Sequence, residues 1–496
     1  MPPGIPLRSA DSLGPTALVL IGALIAAPRF GLISLGIQFA GDSHTFALVA
    51  ENILEHFCVS MSDPADGDCA PHWGGNQLPG YPTFVALVWW VAGKSLAAPL
   101  FAQTLITSTA GVYLVRSIVK AGYGRRAAWL VTAVIALSPS LVGWSRTFLT
   151  ESLAIAVSLW VFAELLRSIS DSRLRVWPLG IALAVGLFVR YDLLIQAIPI
   201  VVVAFAIHRP RIAVSYLAAV AVMTLLPYGA WTARSVVAGL PAIPPFGITP
   251  DGHVVAPGVL SWVGTWLDDQ SLLPQTVWAL VNRDYQSFSP PPPAFDEHIG
   301  GARAREAVAR LRLLQGHDVG ADLDAEFAAI ARAATAADPL GQWVVLPAKR
   351  AASLWGSPLP GLGWPSYLSE TDRQNILQAL SPPSVGGALS VLVRHPQVVF
   401  VKALVTGYRY AALLLVAALL VFSFRQEGRS FRVVVWLSVF YALSRTALFS
   451  QTILIETRYL VEAMAWLDVA LAIGLAHLWS ARADRRRDRL ALPSVT

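Results

Sequence analysis

The chain has 496 residues, 55% of them hydrophobic and 14% charged, with mean hydropathy +0.57 and a formal net charge of +6. Soluble domains carry about 25% charged residues, so the composition excludes an ordinary soluble enzyme and implies an all-α polytopic membrane protein. The positive charge does not imply nucleic acid, because the basic residues fall mostly in short loops, where they set membrane orientation.

In chain order, the first apolar run is Thr16 to Gly36. It has only Arg8 before it and lacks an A-x-A cleavage site, so it reads as a span and not a signal peptide. Spans are expected at about 15–37, 96–118, 127–143, 153–168, 176–190, 193–207, 212–232, 408–424, 433–449 and 460–480, about ten in all. The basic clusters Lys120/Arg125/Arg126, Arg167/Arg173/Arg175, Arg209/Arg211, Arg425/Arg429/Arg432 and Arg485–Arg487 then share one side. The positive-inside rule makes that side cytoplasmic and puts both termini inside. Tyr81 to Val91 is apolar but short, and counting it as a span would invert every later loop. It reads as an interfacial or dipping helix, with Trp89 and Trp90 suited to the boundary.

Two outer regions follow: a first loop at 38–95 and a long segment at about 235–407. The chain divides into a transmembrane module, 1–234, the outer segment 235–407, and C-terminal helices with a basic tail, 408–496. Within the outer segment Pro290–Pro293 reads as a stiff extended element. Residues 300–335, with apolar Val308, Leu311, Ala328 and Ile330, read as amphipathic helix. Leu340–Trp355 and Val391–Val405 are semi-apolar and suit the membrane surface. Both cysteines, Cys58 and Cys69, lie in the first outer loop, where an oxidising compartment favours a disulfide over two free thiols.

The chemistry-bearing residues lie at one end of the apolar runs: Asp42, Glu151, Asp192 and Glu456, with Arg146, Arg190 and Arg458. A single such residue is as often a helix-end charge reaching into the interface. Acids and arginines together on one face suit a reaction on a polar head carried by a lipid. Arginines hold a phosphate through bidentate bonds, a carboxylate takes a proton from an acceptor hydroxyl, and aromatics such as Tyr459 and Tyr81 stack on sugar rings. The histidines His44, His56 and His72 share the first loop, but their spacing is irregular and ordinary loop histidines are favoured over a metal site.

Several motifs carry a resemblance in order along the chain: Gly41-Asp42-Ser43-His44-Thr45-Phe46 with Ala50-Glu51-Asn52, Pro79-Gly80-Tyr81-Pro82, Ser138-Pro139 with Arg146 and Leu149-Thr150-Glu151, Trp231-Thr232-Ala233-Arg234, and Arg458-Tyr459-Leu460. They resemble the bacterial GT-C membrane glycosyltransferases of the family 39 and 83 type, among them the lipid A aminoarabinose transferase and the protein O-mannosyltransferases. The likeness covers 38–234 and the last two helices, and residues 235–400 match nothing in it. It implies a GT-C fold and an inverting transfer from a polyprenyl-phosphate sugar to a glycan, lipid or protein acceptor of the cell envelope. The site would face the periplasm from the cytoplasmic membrane, with no cofactor required. It implies that Asp42 is the base, Glu151 the second acid and Arg458 the phosphate contact. His44, Asp192, Glu456 and Arg234 are further site candidates. Two departures stand out. Ser43 occupies the place where many relatives have a second acid, and Leu78 the place where the aminoarabinose transferase has a lysine. Lys94, Arg146 and Arg190 therefore become alternative phosphate contacts. A different class, a lipid-linked-sugar flippase or proton-coupled transporter, requires ionisable groups near the bilayer midplane. The helix interiors read as nearly free of charge.

Overall fold

The computed structural model describes residues 13–62, 69–72, 78–242, 255–357, 363–364, 375–376, 384–425 and 429–491. Among them the extended pairing is an isolated bridge between Gln38 and Thr147, and everything else is helix, turn or loop. The chain is an all-α polytopic membrane protein. Its membrane module holds α1 (Pro15–Ser34), α2 (Asp42–His56), α3 (Gly80–Ala92), α4 (Ala97–Lys120), α5 (Gly124–Leu137), α6 (Pro139–Val142), α7 (Glu151–Ser170), α8 (Val176–Val189), α9 (Ala197–Ile207) and α10 (Pro210–Val237). The outer segment folds into α11 (Pro257–Val263), α12 (Val277–Val281), α13 (Gly301–Leu313), α14 (Ala321–Ala337), α15 (Leu346–Gly356) and α16 (Val385–Arg394). The chain re-enters through α17 (Pro396–Arg425), α18 (Arg429–Ser450) and α19 (Val461–Ala491).

Among the described residues seven helices are long and apolar enough to cross a membrane, and eight if the bent pair Gly124–Leu137 and Pro139–Arg146 counts as one span. That pair bends by 50°, and the cause is local. Pro139 disfavours helical backbone in the residue before it, and Ser138 sits at ψ 116. The two other expected spans fall where the sequence placed them but are too short to count among these: 176–190 is the helix Val176–Val189, and 193–207 lies in the apolar stretch Tyr191–Ile207. At about 1.5 Å per residue the first covers roughly 21 Å, less than the ~30 Å hydrocarbon layer. The break between them falls on Arg190–Asp192, which belong to the site. Helix α3, with 13 residues, is also too short to cross, and Leu87, Trp90 and Val91 form its exposed edge. Its start is fixed by close approach: a Cβ on Gly80 would sit 2.3 Å from the Phe188 carbonyl oxygen at the end of α8.

Burial ranks the helices. Of the apolar stretch of α19, 89% is covered by protein, and of α7 78%, against 17% for α10. The last helix is therefore central, and α10 is left to face lipid. The outer segment packs around Trp262, which contacts Trp266, Phe288, Phe295 and Phe327. Its amphipathic stretch is two helices, α13 and α14, with Val308, Leu311 and Ile330 buried. The proline run is not uniformly extended, because Pro292–Phe295 closes into a 3₁₀ turn. Val391–Val405 is likewise divided, at His395–Pro396, between α16 and α17.

Arg350 fastens this outer segment to the membrane module. Its guanidinium donates to Leu267 O at 2.7 Å, Gly264 O at 2.6 Å and Ser450 O at 3.4 Å, the last at the end of α18. Burial pushes its pKa down to about 10, so the group stays charged at neutral pH. Bonds from a charged donor contribute about 1.5–3 kcal/mol each. Arg350→Ala removes the two short bonds and the longer one to Ser450 O, and the two short bonds alone should cost about 3–6 kcal/mol. A thermal melt of the purified variant checks this, and an unchanged midpoint would mean that the outer segment is held by other contacts.

Candidate active site

The ends of six segments meet at the centre of the site, and the acids among them sit at helix N-termini. Asp42 is the first residue of α2, Glu151 the first of α7 and Glu462 the second of α19; Asp192 opens the 3₁₀ turn Tyr191–Gln196. Arg190 is the C-terminal cap of α8, and Arg445 lies near the C-terminal end of α18. Helix N-termini favour anions and C-termini cations, by about 0.3–1 kcal/mol each and up to ~2 where partly buried. The arrangement lowers the cost of taking these charges out of water.

The charges form one continuous network. Arg458 Nη1 lies 3.3 Å from Asp42 Oδ2 and 3.9 Å from Glu151 Oε1, while its Nε lies 2.6 Å from Glu456 Oε2. Arg190 grips Asp192 with two bonds of 2.9 and 3.0 Å and reaches Glu151 Oε1 at 3.3 Å and Glu462 Oε1 at 3.7 Å. Arg445 pairs with Asp192 and lies 2.8 Å from Glu462 Oε2. Its Nε also donates to the Tyr459 carbonyl at 2.9 Å. The Tyr459 ring stacks on Phe449 at 4.7 Å and carries the guanidiniums of Arg190 and Arg458 at 5.1 and 5.2 Å. Burial lifts Glu456 above the usual carboxylate range, with the Arg458 guanidinium pulling the other way.

Exposure separates the acids. The Asp42 side chain is 26% exposed, that of Glu151 1% and that of Glu462 0%. Asp42 is the most exposed of the five acids, ahead of Glu456 at 19% and Asp192 at 12%. Ser43, beside it, is buried and bonds Phe148 O at 2.9 Å, which fixes the start of α2 against the loop before α7.

Of the residues singled out from sequence, Asp42, Glu151, Arg190, Asp192, Glu456, Arg458 and Tyr459 converge. Lys94 does not join them; it is a surface group paired with Glu51 and Glu55. Arg234 stacks on Trp231 and donates to His72 O at 2.8 Å, tying α10 to the first outer loop. Tyr81 is packed between Phe46 and Phe148, and its hydroxyl accepts from Gln103 at 2.7 Å. His44 is exposed and its ring lies against Phe39. Arg146 is buried, with its carbonyl bonded to the Gln38 N–H at 2.9 Å. Cys58 and Cys69 are joined in a disulfide, Cα–Cα 6.2 Å. Among the described residues no group of three or more His, Cys, Asp or Glu could hold a metal ion.

Sequence reasoning missed Arg445 and Glu462, both fully buried. The expectation that helix interiors are nearly free of charge is also corrected. Arg29, Glu164, Arg409 and Asp468 are buried within helices as well. Asp468 accepts from Ser138 Oγ at 2.7 Å and Tyr408 OH at 2.8 Å, and Glu164 bonds Arg175 and Tyr113. The missing signal was available, since any ionisable residue inside an apolar run marks a site by default.

No protein-family model and no curated protein matches this sequence. Among solved structures it is similar to the archaeal oligosaccharyltransferase AglB from Archaeoglobus fulgidus, in complex with an inhibitory peptide and a dolichol-phosphate, at 13% identity and a TM-score of 0.45. The match covers 97% of this chain and 52% of that one, so the chain spans about half the length of that protein.

The network makes a stability prediction. Removing one member of a buried pair strands its partner, at about 3–5 kcal/mol, whereas replacing both by apolar groups is often neutral. Arg445→Met alone should destabilise the purified protein strongly. Arg445→Met with Glu462→Leu should recover much of the loss in the same melt, since Asp192 keeps Arg190. No recovery would mean that Glu462 is not the principal partner of Arg445.

Proposed function

We propose that this protein is a GT-C-type glycosyltransferase of the bacterial cell envelope. It moves a sugar from a polyprenyl-phosphate donor to a glycan, lipid or protein acceptor at the outer face of the cytoplasmic membrane, with inversion and without a cofactor. The observation that carries the reading is the accessible Asp42 carboxylate, 3.3 Å from Arg458 at the edge of a buried arginine–acid network. The order of the sequence motifs supports the same reading. The basic loops at the opposite helix ends support a periplasmic site.

In this reaction Asp42 takes the proton of the acceptor hydroxyl as its oxygen bonds to the anomeric carbon. The bond from that carbon to the phosphate oxygen breaks on the opposite face, and polyprenyl phosphate leaves with the electron pair. Arg458 and Arg190 hold the phosphate, and planar guanidiniums suit that role better than lysine. Tyr459 keeps the two cations side by side. The outer segment 235–407 selects the acceptor.

A second reading has an observation of its own. Asp468, buried in α19 and bonded to Ser138 at the helix bend, suits a proton-coupled transporter or lipid-linked-sugar flippase, which keeps ionisable groups at depth. Proteoliposomes separate the two. A flippase moves the lipid-linked sugar across the bilayer with its glycosyl bond intact, whereas the transferase releases polyprenyl phosphate.

General-base assistance contributes about 10²–10⁴-fold. Asp42→Asn keeps shape and helix-capping ability and should lower transfer from a synthetic polyprenyl-phosphate sugar by that factor, without loss of folding. Wild-type turnover in the variant would make Asp42 structural and pass the role to Glu151.

A further inference from the structure

We infer that Glu151 is a resident occupant of the donor's phosphate position, and that donor binding is an exchange in which a phosphate oxygen displaces the Glu151 carboxylate from between Arg190 and Arg458. This rests on the glycosyl-transfer reading above. The geometry is a two-guanidinium cradle already holding one oxygen. Each arginine is anchored from behind, Arg190 by Asp192 at 2.9 and 3.0 Å and Arg458 by Glu456 at 2.6 Å. Both rest on the Tyr459 ring. The two Nη1 atoms both face Glu151 Oε1, at 3.3 and 3.9 Å, and that of Arg458 also bonds Asp42 Oδ2 at 3.3 Å.

The contacts of Glu151 are loose. Charge-assisted N–H···O bonds run at about 2.7–2.9 Å; the Arg190–Asp192 bonds lie close to that range and Arg458 makes a close ion pair with Glu456, without a hydrogen bond from its Nε, whereas Glu151 lies farther from both arginines. The other oxygen, Oε2, has no hydrogen-bond partner among the described residues, although the side chain is 1% exposed. A buried carboxylate held this weakly is poorly compensated for its lost hydration, so a tetrahedral phosphate with more oxygens displaces it at little cost. The anchors keep the guanidiniums in place while the occupant changes.

The exchange also reaches Asp42, which shares Nη1 of Arg458 with Glu151. A phosphate oxygen on that Nη1 therefore changes the contact of the Asp42 carboxylate as well.

The test is binding of farnesyl phosphate to the purified full-length protein by titration calorimetry. Removing the competing charge should make Glu151→Gln bind roughly tenfold more tightly, the scale of one charge pair in an intermediate dielectric, even as transfer falls. Glu55→Gln, a surface acid outside the network, should leave affinity unchanged, and farnesol should show no dependence on residue 151. Equal or weaker binding by Glu151→Gln overturns the exchange while leaving glycosyl transfer standing. Equal tightening in Glu55→Gln would reduce the effect to net charge and overturn it too. If Glu151→Gln does not fold, Asp42→Asn replaces it, with tightening again expected and its absence decisive. An equal affinity for inorganic phosphate would overturn the assignment to a lipid headgroup. No binding of farnesyl phosphate by the wild-type protein would remove the glycosyl-transfer reading, and this inference with it.

Discussion

The Arg445 guanidinium is the interaction on which the outer half of the molecule depends. It is fully buried and joins two segments that are far apart in sequence: Asp192 after α8, and the start of α19 through the Tyr459 carbonyl and Glu462. A buried charge must be paired and hydrogen-bonded or it costs several kcal/mol. The helix ends are therefore not free to slide. Moving α8 or α19 by one turn, about 5.4 Å, would strand Arg445 or its acids. The short length of α8 follows from the same constraint, because the helix stops at Val189, where Arg190 must turn back to Asp192 and Glu151.

The outer segment is coupled to this constraint at several points. Arg350 ties it to the end of α18, Gln270 accepts from the Thr457 N–H at 3.0 Å, and Trp364 donates to Pro139 O at 3.2 Å. Gly363 approaches Gly143 so closely that a Cβ would meet its carbonyl at 1.9 Å. These contacts fall on the bend of the broken helix and on the loop that carries Glu456 and Arg458. Changes in the outer segment therefore reach the charged network through the backbone, without any shared side chain.

Much of this was legible in the sequence, for a physical reason. Charge at the end of an apolar run is visible as a composition change, so Asp42, Glu151, Arg190, Asp192, Glu456 and Arg458 stood out before any fold was known. The run lengths gave an all-α membrane protein, and the single outer loop gave the cysteine pair. Illegible was which of the flanking charges turn inward. Lys94 and Arg234 lie at helix ends like the others, yet one pairs with surface acids and the other with a backbone carbonyl. That depends on the rotation of each helix about its axis, which apolar runs of even hydrophobicity do not encode. Arg445 and Glu462 were hidden for the opposite reason: the runs around them are apolar enough to absorb one charge each.

The two ends of the bundle differ in charge balance, and the difference argues for where chemistry occurs. At the basic end Glu164 and Asp171 are matched by Arg175, with Arg167 stacked on Tyr113. With Lys120 and Arg116 alongside, cations there outnumber the acids. At the other end Asp42, Glu151, Asp192, Glu456 and Glu462 face only Arg190, Arg445 and Arg458. An inner quartet of Arg190, Arg445, Asp192 and Glu462 is balanced, so the surplus of acid lies at the rim, on Asp42, Glu151 and Glu456 around one arginine. An anion entering such a rim cannot be held beside all three carboxylates in their charged form. Either a carboxylate leaves the guanidiniums or one takes a proton. The weakly held Glu151 suits the first response. A rim built in this way admits an anion only by rearranging its carboxylates, and the basic end holds no such surplus of acid.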